Sequence, residues 1–159
     1  SLMCDADFLN QAIQLAKENV KQGGRPFGAV IVKDRQVVSR GVNQILTTGD
    51  PTSHAELNAL RQAAQYLKTT QLKDCVVYAS GQPCPMCLAA MRMAGIEKIF
   101  YAYSNADAEP YGLSTAQLVE KLRLDPHQQK GLSFVQLKPA GDMELYALWQ
   151  QSQSKDFVQ

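Results

Sequence analysis

Long apolar runs are missing from this chain. Stretches such as Ala29-Val30-Ile31-Val32 fall far short of the roughly 20 residues a membrane-spanning helix needs, so no membrane partner is expected. An excess of one charge is missing too: 16 Lys and Arg face 15 Asp and Glu, a formal charge of +1. The basic residues are scattered, which leaves no run of cations to follow a phosphate backbone and argues against nucleic acid as a partner. Repeats, low-complexity tracts and linkers rich in Pro, Gly or Ser are absent, so residues 1–159 read as a single domain. No charged segment followed by an apolar one opens the chain, and Ser1-Leu2 stand ahead of Met3 as an added remnant. The expectation is a cytoplasmic protein whose four cysteines stay reduced. At 45% hydrophobic and 19% charged residues, the composition suits one sizeable core and excludes disorder as the main state.

Periodicity supplies the elements. Leu9, Ile13, Ala16 and Val20, after an N-cap at Asp5 or Asp7, predict an amphipathic helix that ends at Gly23-Gly24. Residues 28–33 and 36–43 are β-branched runs around Asp34-Arg35 and predict a hairpin. Turn-forming residues 47–53 lead into a second helix that starts near His54 and runs to Lys68. Residues 75–79 predict a strand, Pro83 and Pro85 open a third helix that reaches Gly95, and Ile99-Phe100-Tyr101 predicts the next strand. A short helix over 114–122, a fifth strand over 133–137 and a last helix from Asp142 to about Gln153 complete the expectation. Alternating strands and crossover helices beside one hairpin imply an α/β protein: a three-layer αβα sandwich around a five-stranded mixed sheet.

Two short motifs carry chemistry, and each falls where a helix starts after a strand. In α/β sheets such helix starts converge on one edge, where ligands bind. His54-Ala55-Glu56 is the first and Pro83-Cys84-Pro85-Met86-Cys87 the second. Three residues apart, Cys84 and Cys87 share a helix face with Cβ atoms about 5–6 Å apart, and the helix start favours their thiolates. With His54 they make three zinc ligands and leave one tetrahedral position open, the pattern of a catalytic metal. On an ideal helix Glu56 lies about 200° from His54, so both reach one crevice only through the tilt of side chains toward the N-terminus. A thioredoxin-like redox pair fits poorly with the two prolines and the His-x-Glu partner. A closed structural zinc site needs a fourth ligand, and Cys4, Cys75 and His127 all lack ligand spacing. These three read as an exposed terminal thiol, a small core residue and a solvated loop residue.

Both halves of the H-x-E…P-C-x-x-C pattern are intact, and on them the chain resembles the zinc-dependent cytidine and nucleobase deaminase superfamily. The likeness extends from Pro26-Phe27-Gly28-Ala29-Val30 through residues 50–56 to Pro83–Cys87. Among branches it is most similar to the small bacterial guanine deaminases, with the tRNA adenosine deaminases next and cytosine or cytidine deaminases as a further alternative. The resemblance implies a Zn2+ cofactor on His54, Cys84 and Cys87, and Glu56 as the proton shuttle. It also implies that Asn43 hydrogen-bonds the base, that Phe27 packs on it, and that Ala55 lies beside it. Three positions depart from the guanine deaminase pattern. Met93 replaces an aromatic, Thr115 stands where an aspartate reads the guanine edge, and Phe157 lies near a tyrosine that completes the neighbouring subunit's pocket. Gln82 replaces a glutamate common to both branches. What the resemblance implies is hydrolytic deamination of a purine-like nucleobase by a homodimer with exchanged C-terminal segments. The final helix, Trp149 to Asp156, carries one Lys and no Arg, where a tRNA-editing relative carries basic residues.

Overall fold

The computed structural model describes residues 3–141 and 144–158, the last five by backbone alone. Helix α1 spans Asp5–Lys21. Its N-cap is Cys4, whose N–H donates to the Asp7 carboxylate at 2.9 Å. The buried stripe is Phe8, Ala12 and Ala16; of the expected Leu9, Ile13, Ala16 and Val20, Ala16 is buried, Leu9 and Ile13 are half-buried and Val20 is exposed. Close approach decides this. A Cβ at Gly28 would lie 2.4 Å from the Ala12 carbonyl oxygen, so only the alanine face of α1 fits against the sheet.

Strands β1 (Gly28–Lys33) and β2 (Gln36–Val42) form the hairpin. Asp34 and Arg35 both take left-handed φ, 51° and 62°, the mirror-image turn that matches the twist of paired strands. After the short α2 (Ile45–Thr48) come α3 (Ala55–Leu67), β3 (Cys75–Gly81), α4 (Pro85–Met93) and β4 (Lys98–Tyr103). Then follow α5 (Asn105–Ala108), a 3₁₀ turn at Glu109–Tyr111, α6 (Ala116–Leu122), a 3₁₀ turn at Pro126–Gln128 and α7 (Leu145–Val158).

The sheet has four strands in the order β2-β1-β3-β4. β1 is antiparallel to both neighbours, and β3 pairs with β4 in parallel. The chain therefore inserts β3 on the far side of β1, and β2, β3 and β4 all point one way. Alternate residues of β1 bury opposite faces. Val30 and Val32 join Phe8, Ala12 and Tyr78 under α1, whereas Ala29 and Ile31 join Ala59, Ala63, Cys87 and Met91 of α3 and α4. Helices cover both faces, as the α/β reading expects.

The expected fifth strand is not formed. Residues 133–137 make no ladder among the described residues: Phe134, Val135 and Leu137 are exposed, and strand-forming residue types give a segment a propensity but not a partner strand. Helix α7 begins at Leu145, while the expected start, Asp142, lies outside the described residues. Residues 1–121 and 122–159 form two compact units. Within the second, Asp125 caps its turn by accepting from the His127 N–H at 2.8 Å, and the His127 ring meets Phe134 edge-on. Among the described residues no helix is long and apolar enough to cross a membrane.

Candidate metal centre and active site

Because β2, β3 and β4 share a direction, the segments leaving them emerge at one edge of the sheet. The start of β1 lies there too, since the Gly28 N–H donates to Ser80 Oγ at 3.0 Å. β2 is followed by Asn43 and, after α2, by His54; β3 is followed by Gln82, Pro83 and Cys84.

His54 and Cys84 are the N-caps of α3 and α4, both with extended backbone, and Cys87 is the third residue of α4. The sequence's hardest geometric step is thereby resolved. His54 is not on the helix, so the 200° separation from Glu56 does not arise, and both side chains face the same cavity. Three loop contacts hold His54 in place. Its N–H donates to the Thr52 carbonyl at 2.7 Å, and Asn58 Nδ2 donates to the Val42 carbonyl at 2.9 Å and to Ser53 Oγ at 3.1 Å.

His54 Nδ1 lies 3.5 Å from Cys84 Sγ and 3.4 Å from Cys87 Sγ, and the three ligand atoms all fall within 4.8 Å of one another. Tetrahedral bonds of about 2.3 Å to sulfur and 2.05 Å to nitrogen set ligand N···S separations of about 3.6 Å. The three side chains therefore fit one zinc ion without rearrangement, and no fourth His, Cys or carboxylate closes the group among the described residues. Cys4 is exposed, Cys75 is buried in the sheet, and His127 bonds Asp125 in the second unit.

The three ligand groups shift one another's titration. Hydrogen bonding from Cys87 and His54 holds the Cys84 thiol down at about 4. The same bond to Cys84, with burial, pushes the Cys87 thiol up. His54 is raised by its bond to Cys84. Glu56 is only 7% exposed, and burial raises its carboxyl to about 7. A carboxyl titrating there can both take and give a proton at neutral pH.

The cavity is about 140 Å³, with His54, Glu56 and Cys84 at its base and Phe27 and Leu113 as apolar walls. Asn43, Gln82 and Arg25 supply polar edges. Asn43 is buried, and its Oδ1 accepts from the Ile45 N–H at 3.1 Å, so it serves a turn while lining the cavity. Ala55 is fully buried in the core behind α3, and Met93 is 83% exposed at the end of α4; neither lines the cavity. Thr115 also stands off it, its N–H donating to Asn105 Oδ1 at 3.2 Å. Phe157 lies in α7, its side chain outside the described part.

Arg25, Leu113, Asn19 and Asn58 are site or supporting residues that motif reading missed. Asn19 Nδ2 donates to the Arg25 carbonyl at 2.8 Å and to the Asn43 carbonyl at 2.9 Å, pinning two cavity-lining segments together. One signal for Asn19 and Asn58 existed: asparagine is a poor interior helix residue, and its presence in α1 and α3 calls for a hydrogen-bonding reason.

These features define a zinc-binding hydrolytic deaminase. The chain belongs to the family described as the cytidine and deoxycytidylate deaminase zinc-binding region, whose profile matches residues 3–103. It is 38% identical over 149 residues to the guanine deaminase of Bacillus subtilis strain 168, covering 93% of this chain and 95% of that protein. The crystal structure of a Bacillus subtilis guanine deaminase superposes with a TM-score of 0.87 at 37% identity, over 94% of this chain and 95% of that one. A tRNA-specific adenosine deaminase of Aquifex aeolicus is 37% identical over 95 residues, 60% of this chain and 63% of that protein. A solved chain in complex with 2,6-diaminopurine matches with a TM-score of 0.66 at 25% identity, over 70% of this chain and 63% of that one.

Proposed function

We propose that this enzyme hydrolytically deaminates a free purine-like nucleobase, guanine or a related amino-heterocycle, releasing ammonia and leaving a ring carbonyl. The observation that carries the reading is the His54, Cys84 and Cys87 triangle with buried Glu56 beside it, at the base of a small cavity walled by Phe27 and Leu113. Likeness along nearly the whole chain to a guanine deaminase, against a shorter match to tRNA deaminases, supports the base over the nucleic acid.

His54, Cys84 and Cys87 would hold zinc, whose chemistry is to lower the pKa of water from 15.7 to about 7. Glu56 takes the proton of the attacking water and passes it to the ring nitrogen next to the amine-bearing carbon. It then takes the proton of the hydroxyl now on that carbon and gives it to the amine, which leaves as ammonia as the carbonyl forms. Phe27 packs on the ring face and Asn43 hydrogen-bonds its edge. The single carboxylate serves as base and then as acid, and the walls limit competing water.

Where the resemblance places an aspartate that reads the guanine edge, this chain has Thr115, which stands off the cavity and brings no carboxylate to ring N–H groups. A missing charge-assisted hydrogen bond costs about 1.5–3 kcal/mol, roughly 10- to 150-fold in affinity, so guanine is a modest substrate, and a related purine, pterin or triazine is turned over better. The whole chain works as one deaminase domain in the cytoplasm. It acts as a homodimer with exchanged C-terminal segments, in which Phe157 serves the neighbouring subunit's site. Ammonia release from a panel of purines, pterins, triazines and cytidine tests the reading: activity on cytidine alone would overturn it.

A further inference from the structure

Arg25 belongs to none of the motifs, yet it lines the same cavity as His54, Glu56 and Asn43. Its backbone carbonyl is held twice. The Asn19 amide donates to its carbonyl at 2.8 Å, and the Phe27 N–H donates to the same oxygen at 2.8 Å, closing a three-residue turn around Pro26. The proline ring sets its own φ. The preceding Gly24 has no room for a side chain, since a Cβ there would lie 2.5 Å from Asn19 Nδ2. Asn19 also holds Asn43, so one amide sets both the arginine and the buried asparagine at the cavity.

The guanidinium itself is uncommitted. Arg25 is exposed, and among the described residues nothing bonds or pairs with its side chain. A long cation on a rigid turn, unpaired and beside a reaction centre, has its fork free for a ligand, and an arginine fork matches an anionic oxygen group in two parallel hydrogen bonds. Buried Glu56 and Cys84 line the cavity with His54. A ring whose amine-bearing carbon sits there turns its opposite edge toward the mouth.

Building on the deaminase reading above, we propose that Arg25 is a specificity-determining residue selecting amino-heterocycles that carry an anionic oxygen group on the edge away from the reacting amine. The chemistry is a carboxylate or an ionised ring oxygen meeting a guanidinium at the cavity mouth. A neutral edge leaves Arg25 in water and gains nothing from it.

Pterin and pterin-6-carboxylate form the matched probes, because both are fluorescent and differ only in the anionic group. With zinc-loaded wild-type enzyme, the carboxylate has the lower KM. Arg25→Gln raises the KM of the carboxylate about 10-fold more than that of pterin, and Arg25→Lys retains part of the preference. Added salt narrows the gap between the two probes. Fluorescence titration of Glu56→Gln protein, with and without Arg25→Gln, reads binding apart from turnover. Arg25-dependent binding of the carboxylate without deamination of any base would sustain this inference and sink the proposed reaction. Equal effects of Arg25→Gln on both probes, no effect on either, or binding of neither would overturn it.

Discussion

Gly41 sits on β2 directly beneath the first turn of α3. A Cβ at this position would lie 2.2 Å from the Ala55 carbonyl oxygen and 2.7 Å from the Ala59 nitrogen, both backbone atoms. Real Cβ contacts essentially never fall under 3.0 Å, so Gly41→Ala must push the start of α3 from the sheet by about 0.8 Å. Removing a glycine from a strand is worth about 0.5–1 kcal/mol in the variant's favour. Overpacking costs about 1–3 kcal/mol, and it wins here because neither contacted atom is a flexible side chain that could swing away. A chain of this size loses roughly 2–4 °C of Tm per kcal/mol, so a drop of several degrees is expected. The larger consequence is at the site. Ala55 lies between His54 and Glu56, and metal–ligand distances tolerate only about 0.2 Å. Gly41→Ala should therefore lower zinc retention against a chelator and reduce turnover by about 100-fold, the scale of a 1 Å misplacement. Gly28→Ala is the control. Its Cβ strikes α1 at 2.4 Å from the Ala12 carbonyl, which costs stability but moves no metal ligand, so zinc should stay. Urea unfolding, zinc stoichiometry and ammonia release measure the three quantities. A Gly41→Ala protein with wild-type stability, zinc and rate would refute the argument.

Glu56→Gln should keep zinc at full stoichiometry and lose at least about 100-fold in kcat; near-normal turnover removes Glu56 from the proton transfers. The Cys84→Ala, Cys87→Ala double variant should lose its zinc, which elemental analysis reads directly, and full occupancy would place the metal elsewhere. Asn19→Ala breaks both bonds that pin Arg25 and Asn43; it should destabilise by about 1–3 kcal/mol and raise KM more than it lowers kcat, and an unchanged KM would separate this clamp from the site. A gel shift with tRNA at moderate salt should show no micromolar complex, given a formal charge of +1; tight, steeply salt-dependent binding would move the substrate to nucleic acid.

The parts of this protein that read directly from its residues are those whose geometry closes within a few positions. Cys84 and Cys87 span one helical turn, Asp34 and Arg35 one two-residue hairpin, and Pro85 one helix start, so spacing alone specifies them. The meeting of His54 with the two cysteines was also legible, because helix starts that follow strands of one direction share an edge. Everything that depends on which distant segment lies alongside was not. The residue types of 133–137 promised a strand but named no partner. The continuous apolar run of β1 likewise gave no hint that β3 would pair with it antiparallel. The buried face of α1 turned on the bare backbone of Gly28, 2.4 Å beneath a carbonyl, rather than on which of its residues are most apolar. Arg25 lines the cavity with its carbonyl tied by Asn19 to that of Asn43, 24 residues beyond Asn19. Local turns are decided by steric limits on a few dihedrals, which each residue carries with it. Pairing, close approach and convergence on a cavity are decided by contacts between segments, and they exist only once the chain has packed.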